Sequence, residues 1–173
     1  MDTKTLTLVS TLAIIAVVLL MIWTGWRNRL KRQADVEELP DVPAAPGTAL
    51  ESAEGQYVAS TTAGDWLDRI AVHGLGLRTN ATLAVYPHGV LFDRSGAPAV
   101  YIPAADLTAV RQDSGMAGKF VEKDGLLVLS WKLGSHELDT GFRTRRAADK
   151  ATLFESLQHL ISAAPQADPQ SGK

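Results

Sequence analysis

Cysteine is absent from the 173-residue chain. That excludes disulfides, cysteine nucleophiles, cysteine-ligated zinc or iron–sulfur sites, and the lipidated cysteine of a bacterial lipoprotein. Net charge of either sign is nearly absent too. Seventeen basic against 19 acidic side chains leave −2, too little bulk charge for a nucleic-acid binder. Residues 5–26 (TLTLVSTLAIIAVVLLMIWTGW) contain no charged side chain at all. That run excludes a plain soluble globular protein, and residues 27–173 still suffice for one domain with its own core.

What is present begins with that run. Twenty-two residues rising 1.5 Å each make a helix of about 33 Å, enough for a hydrocarbon core of roughly 30 Å. Trp23 and Trp26 stand at its C-terminal end, where amphipathic rings favour the interface, and Arg27, Arg29, Lys31 and Arg32 follow at once. The basic excess on that flank predicts an integral single-pass anchor in the plasma membrane, N-terminus outside and bulk of the chain cytoplasmic. A cleaved signal peptide fits badly: the apolar run is too long, the basic cluster is on the wrong flank, and no A-x-A site follows.

Residues 33–56 carry six acids, three prolines and no basic residue. With few large apolar side chains the stretch reads as a mobile spacer, whose 24 residues would reach about 27 Å root-mean-square. The organisation expected is an anchor over 1–32, an acidic linker over 33–54, a domain over 55–164 and a disordered tail over 165–173.

From Tyr57 onward 12 basic residues balance 12 acidic ones, and short β-branched or apolar runs recur between turn signals. They are 57–62, 69–75, 82–86, 90–93, 100–102, 107–112, 119–123, 126–133 and 136–142. Such spacing predicts a mainly β domain, an antiparallel barrel or sandwich of about seven to nine short strands. Asp124-Gly125 and Gly134-Ser135 suit two-residue primed turns, which predicts a three-stranded meander over 119–142. Within it Leu127, Leu129, Trp131 and Leu133 share one face. Pro87-His88-Gly89 marks another hairpin. The period then changes: Leu153, Phe154, Leu157, Leu160 and Ile161 line one face of a helix starting near 146–149 and ending before Pro165, placed to cap the sheet.

These elements resemble the pleckstrin-homology-like (PH-like) fold. The pieces GQYVASTTAGDWLDRIAVHGLG (55–76), IPAADL (102–107), AGKFVEKDGLLVLSWKLG (117–134) and LDTGFR (138–143) make the chain similar to actinobacterial single-pass membrane proteins with a cytoplasmic PH-like domain. The resemblance implies the fold and the placement at the membrane, and carries over no catalytic residue. It departs from phosphoinositide-binding PH domains. Their loop after the first strand holds several basic residues, whereas Thr61–Arg69 here has Arg69 against Asp65 and Asp68, a poor match for a polyphosphate.

No catalytic constellation stands out. GMAGKF (115–120) lacks the first glycine and the final Ser/Thr of a phosphate loop, and reads as a turn between strands. Gly74-Leu75-Gly76 lacks a third glycine and a following helix, so close backbone approach is its better account. His73, His88, His136 and His159 are not paired at metal-ligand spacing, and no G-x-S-x-G frames a serine. Neither a metal nor a cofactor is expected. Trp66 and Arg69 have the chemistry of a binding anchor, although the composition favours Trp66 in the core with Asp68 and Arg69 as a surface pair. Arg143, Arg145 and Arg146 form the one basic cluster of the domain. They read as a solvated helix start, or as a contact for a membrane or an acidic partner. Two functions follow: a non-enzymatic scaffold holding a protein partner at the membrane, or a sensor of a small ligand or lipid using the open barrel end. An apolar cavity with convergent polar groups would distinguish the second.

Overall fold

The apolar N-terminal run forms one helix, α1 (Thr3–Arg32), in a computed structural model that describes residues 3–33, 36–120 and 124–164. The chain divides into two units, Met1–Asp35 and Val36–Lys173. In the first, Thr7–Gly25 has a mean hydropathy of 2.4 and is long and apolar enough to cross a membrane. Leu8, Ile14, Leu19, Ile22 and Trp23 are exposed along it. The Thr11 hydroxyl donates to the Thr7 carbonyl and that of Thr24 to Leu20, each at 2.8 Å. Polar side chains in the run are thereby satisfied within the helix. The Arg27 guanidinium lies 4.9 Å over the Trp23 ring. The side chains of Trp26, Arg29, Lys31 and Arg32 fall outside what the structure describes.

The second unit is a seven-stranded antiparallel sheet and a helix. Its strands are β1 (Glu51–Thr62), β2 (Thr79–Tyr86), β3 (Gly89–Arg94), β4 (Val100–Pro103), β5 (Leu107–Asp113), β8 (Leu126–Leu133) and β9 (His136–Thr144). They lie in the order β4-β3-β2-β1-β9-β8-β5, and β6 (Gly115–Met116) and β7 (Lys119–Phe120) form a separate small hairpin. β1 is the hinge of the design. Its first half pairs with β2 and its second with β9, with a register shift between Tyr57 and Ala59. A bulge there raises the local twist, so one strand serves both halves of the sheet.

The main core lies on one side of the sheet. Tyr57 meets Phe92 edge-on at 5.4 Å, and Phe92 meets Phe142 at 6.0 Å. Leu127, Leu129, Trp131 and Leu133 join them from β8, on the face their alternation predicts. α2 (Ala147–Ala163) adds Leu153, Leu157 and Leu160, with Phe154 and Ile161 partly buried beside them. On the other side of the sheet a smaller cluster joins Val58, Leu126 and Val128 to Met116 of the hairpin. Gly141 makes room for it, since a Cβ at that position would lie 2.6 Å from the Met116 sulfur. The first half of β8, 126–129, is therefore buried on both faces.

Several local expectations need correction. The 69–75 run is not a strand: it makes one bridge, Thr61 to Arg69, and then a 3-10 turn over Val72–Gly74. His73 and Gly74 have positive φ (54° and 67°), which breaks extended backbone. Of the 119–123 run, the described residues Lys119–Phe120 do not pair with β8, whose neighbours are β5 and β9. They pair with Gly115–Met116 across Ala117-Gly118, both at positive φ as a type I′ turn requires. Residues 121–123 and the tail 165–173 lie outside the described residues.

The acidic stretch also differs from a free spacer. β1 begins inside it at Glu51. Val36 is only 6% exposed within the main core, Leu39 packs partly against that core, and the Val36 carbonyl lies 3.2 Å from His73 Nε2. Burial of Val36 and Leu39 at least partly offsets an ordering cost that average composition had made look prohibitive.

Candidate functional site

Two grooves bracket β9, one at each end. At the first end, the turn after β1 carries Trp66, and three strands each present one polar side chain: Arg111 from β5, Ser130 from β8 and Asp139 from β9. The strand registers make this meeting unavoidable, because Ser130 pairs with Ala109 on one side and with Asp139 on the other. Arg111 donates to both Asp139 oxygens, at 3.1 and 2.8 Å. The Ser130 hydroxyl adds a bond of 2.6 Å and the Gly64 N–H one of 3.3 Å. Burial alone would push the Asp139 carboxyl up. The hydrogen bonds from Arg111 and Ser130, the Arg111 charge and the Gly64 N–H together hold it below the usual carboxylate value. The same pairing raises the affinity of Arg111 for its proton.

Over this network opens a groove of about 310 Å³ lined by Trp66, Arg111, Asp113, Ser114, Met116 and Asp139, with Gly64 and Gly115. Trp66 is 43% exposed, so the core role favoured by composition is corrected. The turn holding it is tied down by its backbone: Ala117 N–H donates to the Trp66 carbonyl at 2.7 Å, and Asp65 Oδ1 accepts from the N–H groups of Leu67 and Asp68. Arg69 does not reach into the groove. Its guanidinium donates to the carbonyls of Gly76 and Ala117, both at 3.3 Å, stapling the loop to the β6–β7 hairpin. Asp68 accepts from the Thr62 hydroxyl at 2.8 Å.

At the other end of β9 lie Arg143, Arg145 and Arg146. Arg145 pairs with Glu54 at 3.0 Å and Arg146 with Asp149 at 2.9 Å. The hydrogen bond and charge of Asp149 raise the Arg146 pKa. Arg143 and Arg145 face a second groove, of about 390 Å³, with Lys150. The sequence-level candidates thus separate into two surfaces rather than joining in one.

Two buried polar arrangements were not legible in the sequence. Trp131 Nε1 donates to the Thr140 hydroxyl at 2.8 Å, Thr140 and Ser60 are 2.6 Å apart, Ser60 and Tyr57 are 2.7 Å apart, and Tyr57 donates to the Leu75 carbonyl at 3.1 Å. Since Tyr57 spends its single proton on Leu75, Ser60 must donate to Tyr57 and Thr140 to Ser60. Burial pushes the Tyr57 phenol up to about 12, so it stays neutral and serves as structure. Arg94, 4% exposed, lies 4.6 Å over the Tyr57 ring and donates to the carbonyls of Gly74 and Pro98 at 2.8 and 2.7 Å. Its desolvation lowers its pKa, and its role is to clasp the β1–β2 loop to the β3–β4 turn. His88 and His159 are exposed. Among the described residues no three metal-ligating side chains converge.

An antiparallel sheet bent at one shared strand and closed by a C-terminal helix is the architecture of PH-like domains, which are generally interaction modules and usually non-catalytic. The chain belongs to the bacterial PH domain-like family, which matches residues 36–158. Among solved structures, a chain of the 8S snRNP assembly intermediate aligns with a TM-score of 0.52 at 8% identity, over 78% of this chain and 97% of that one. The C-terminal phosphotyrosine interaction domain of mouse APBB2 aligns with a TM-score of 0.47 at 12% identity, over 79% and 100%. The C-terminal PH domain of human FGD3 gives 0.39 at 11% identity, over 73% and 96%. At 8% identity the likeness to the first is one of fold alone. No curated protein matches the sequence.

Proposed function

We propose that this protein is a membrane-anchored, non-enzymatic interaction module of the kind seen in actinobacterial single-pass proteins. In this reading α1 crosses the plasma membrane once, with the N-terminus outside. The PH-like domain holds a protein partner at the inner face, with the groove beside Trp66 as the contact. The observation that carries the reading is Trp66 itself: a half-exposed ring on a turn fixed by one backbone hydrogen bond and two to the Asp65 carboxylate, beside a charge network that needs no further partner. A large rigid aromatic over a preformed groove is what a binding hot spot requires. The sensor alternative draws less support, because Tyr57, Phe92, Phe142 and Trp131 occupy the interior that a ligand at the open end would need.

Two measurements test it. A reporter fused after Lys173 should be active only as a cytoplasmic probe, and activity of a periplasmic reporter there would overturn the orientation. A photo-reactive phenylalanine analogue at Trp66, in the full chain in its native membranes, should give a discrete crosslinked adduct. The same analogue at His159, exposed on α2, should not. Absence of the adduct from position 66, or the same adducts from both positions, would refute the contact.

A further inference from the structure

The groove at the far end of β9 carries charge of one sign. Among the described residues three ionisable side chains line it, Arg143, Arg145 and Lys150, and all three are cations; the remaining polar lining includes the amides of Gln56 and Asn80. The cations come from the end of β9, the connection after it and the first turn of α2, and Gly55 of β1 lets them converge. A Cβ there would meet the Phe142 ring at 2.6 Å and run into the Arg143 carbonyl. The strand therefore lies against β9, and the floor of the groove stays open.

We propose that this groove binds a phosphate group, carried by a phospholipid headgroup or by a soluble phosphate compound. Three converging cations with amide donors are the complement of a compact, multiply charged oxyanion. The site is distinct from the groove beside Trp66, with which it shares no lining residue. Two of the three cations have exchangeable partners. Lys150 Nζ donates to a neutral carbonyl, that of Asp124, at 2.7 Å. Arg145 and Glu54 are both about two-thirds exposed at the rim, where such pairs contribute only about 0–1 kcal/mol. The start of α2 has no side-chain cap, its N-cap residue being Arg146, and the acid of its first turn, Asp149, is paired with Arg146 at 2.9 Å and does not line the groove. The volume of about 390 Å³ holds a phosphate with its ester substituent. The lipid source rests on the membrane-anchored reading above; the soluble source does not.

The test uses the full chain in phosphatidylcholine nanodiscs, with backbone hydrogen exchange read over residues 143–150. One arm adds inorganic phosphate at matched ionic strength, and the other replaces part of the lipid with phosphatidylglycerol. Exchange in that segment should slow, by about tenfold at a ligand concentration near nine times Kd. The effect should vanish in the R143Q/K150Q double variant and survive in K150R. Slowing in the first arm assigns a soluble phosphate, and slowing only in the second assigns a lipid headgroup. Slowing in neither arm, or equal slowing in R143Q/K150Q with its melting temperature unchanged, would overturn the site. If the reporter experiment placed the domain outside, the soluble-phosphate arm would still decide the groove's chemistry.

Discussion

The two ends of β9 use charge in opposite ways. At the Asp139 end, a carboxylate whose side chain is 5% exposed is saturated by Arg111, Ser130 and Gly64, and the network holds β5, β8 and β9 in register. At the Arg143 end, cations gather on an open groove, where Arg145 pairs with the exposed Glu54 and Lys150 with a carbonyl. Thr144 lies only five positions beyond Asp139 along the same strand. The contrast teaches that charged side chains in one element separate by desolvation: a buried pair must be complete or it destabilises the fold, whereas exposed charges remain free to change partner.

The largest effect should come from the core side chain that braces the strand both ends share. Trp131 is fully buried in β8 and bonded to Thr140 of β9, so Trp131→Ala should cost about 3–5 kcal/mol in denaturant unfolding. A loss under about 1 kcal/mol would mean the β8–β9 packing is not what holds the ends together. Next, Asp139→Asn should cost about 1–3 kcal/mol, the range for hydrogen bonds to a charged group and for the donors left behind. The wild-type pH profile sharpens this. Because the folded carboxyl is held low, its contribution is complete above about pH 4, the unfolded value, and is lost as pH falls through the lower folded value. Asp139→Asn should remove that acid-dependent part of the profile, and an unchanged profile would break the comparison. Smallest, Arg145→Ala should alter stability by less than about 1 kcal/mol, and less still in high salt. A larger loss in a melting experiment would make the open end structural after all.

What was legible in the sequence divides along the same physical line. Local, period-driven features were readable. Leu153, Leu157 and Leu160 on α2 lie where helical spacing put them, Leu127 to Leu133 where strand alternation did, and Ala117-Gly118 makes the tight turn that the failed phosphate-loop pattern suggested. Features set by distant pairing were not. The Arg111–Ser130–Asp139 network exists because β5 lies beside β8, and nothing local announces that neighbour. The 119–123 run, adjacent in sequence, looked like the simpler one. RIAVHGL has strand composition, yet His73 and Gly74 turn it, and Arg69 is consumed by two carbonyls. Trp66 looked like core because tryptophan usually is; its carbonyl and its neighbour Asp65 fix the turn, leaving the ring outside.

The seating of Val36 in the core moves the edge of the domain. Were the whole acidic stretch free, its 24 residues would all precede the fold. With Val36 packed, the domain takes hold of the chain 15 positions before β1 opens at Glu51. Glu37, Glu38 and Asp41 are exposed on the segment between, so their charge is carried on the domain's own surface rather than along a spacer. A single buried valine thereby makes the 36–173 unit net acidic, with the five carboxylates of residues 36–56 added to the balanced count from Tyr57 onward.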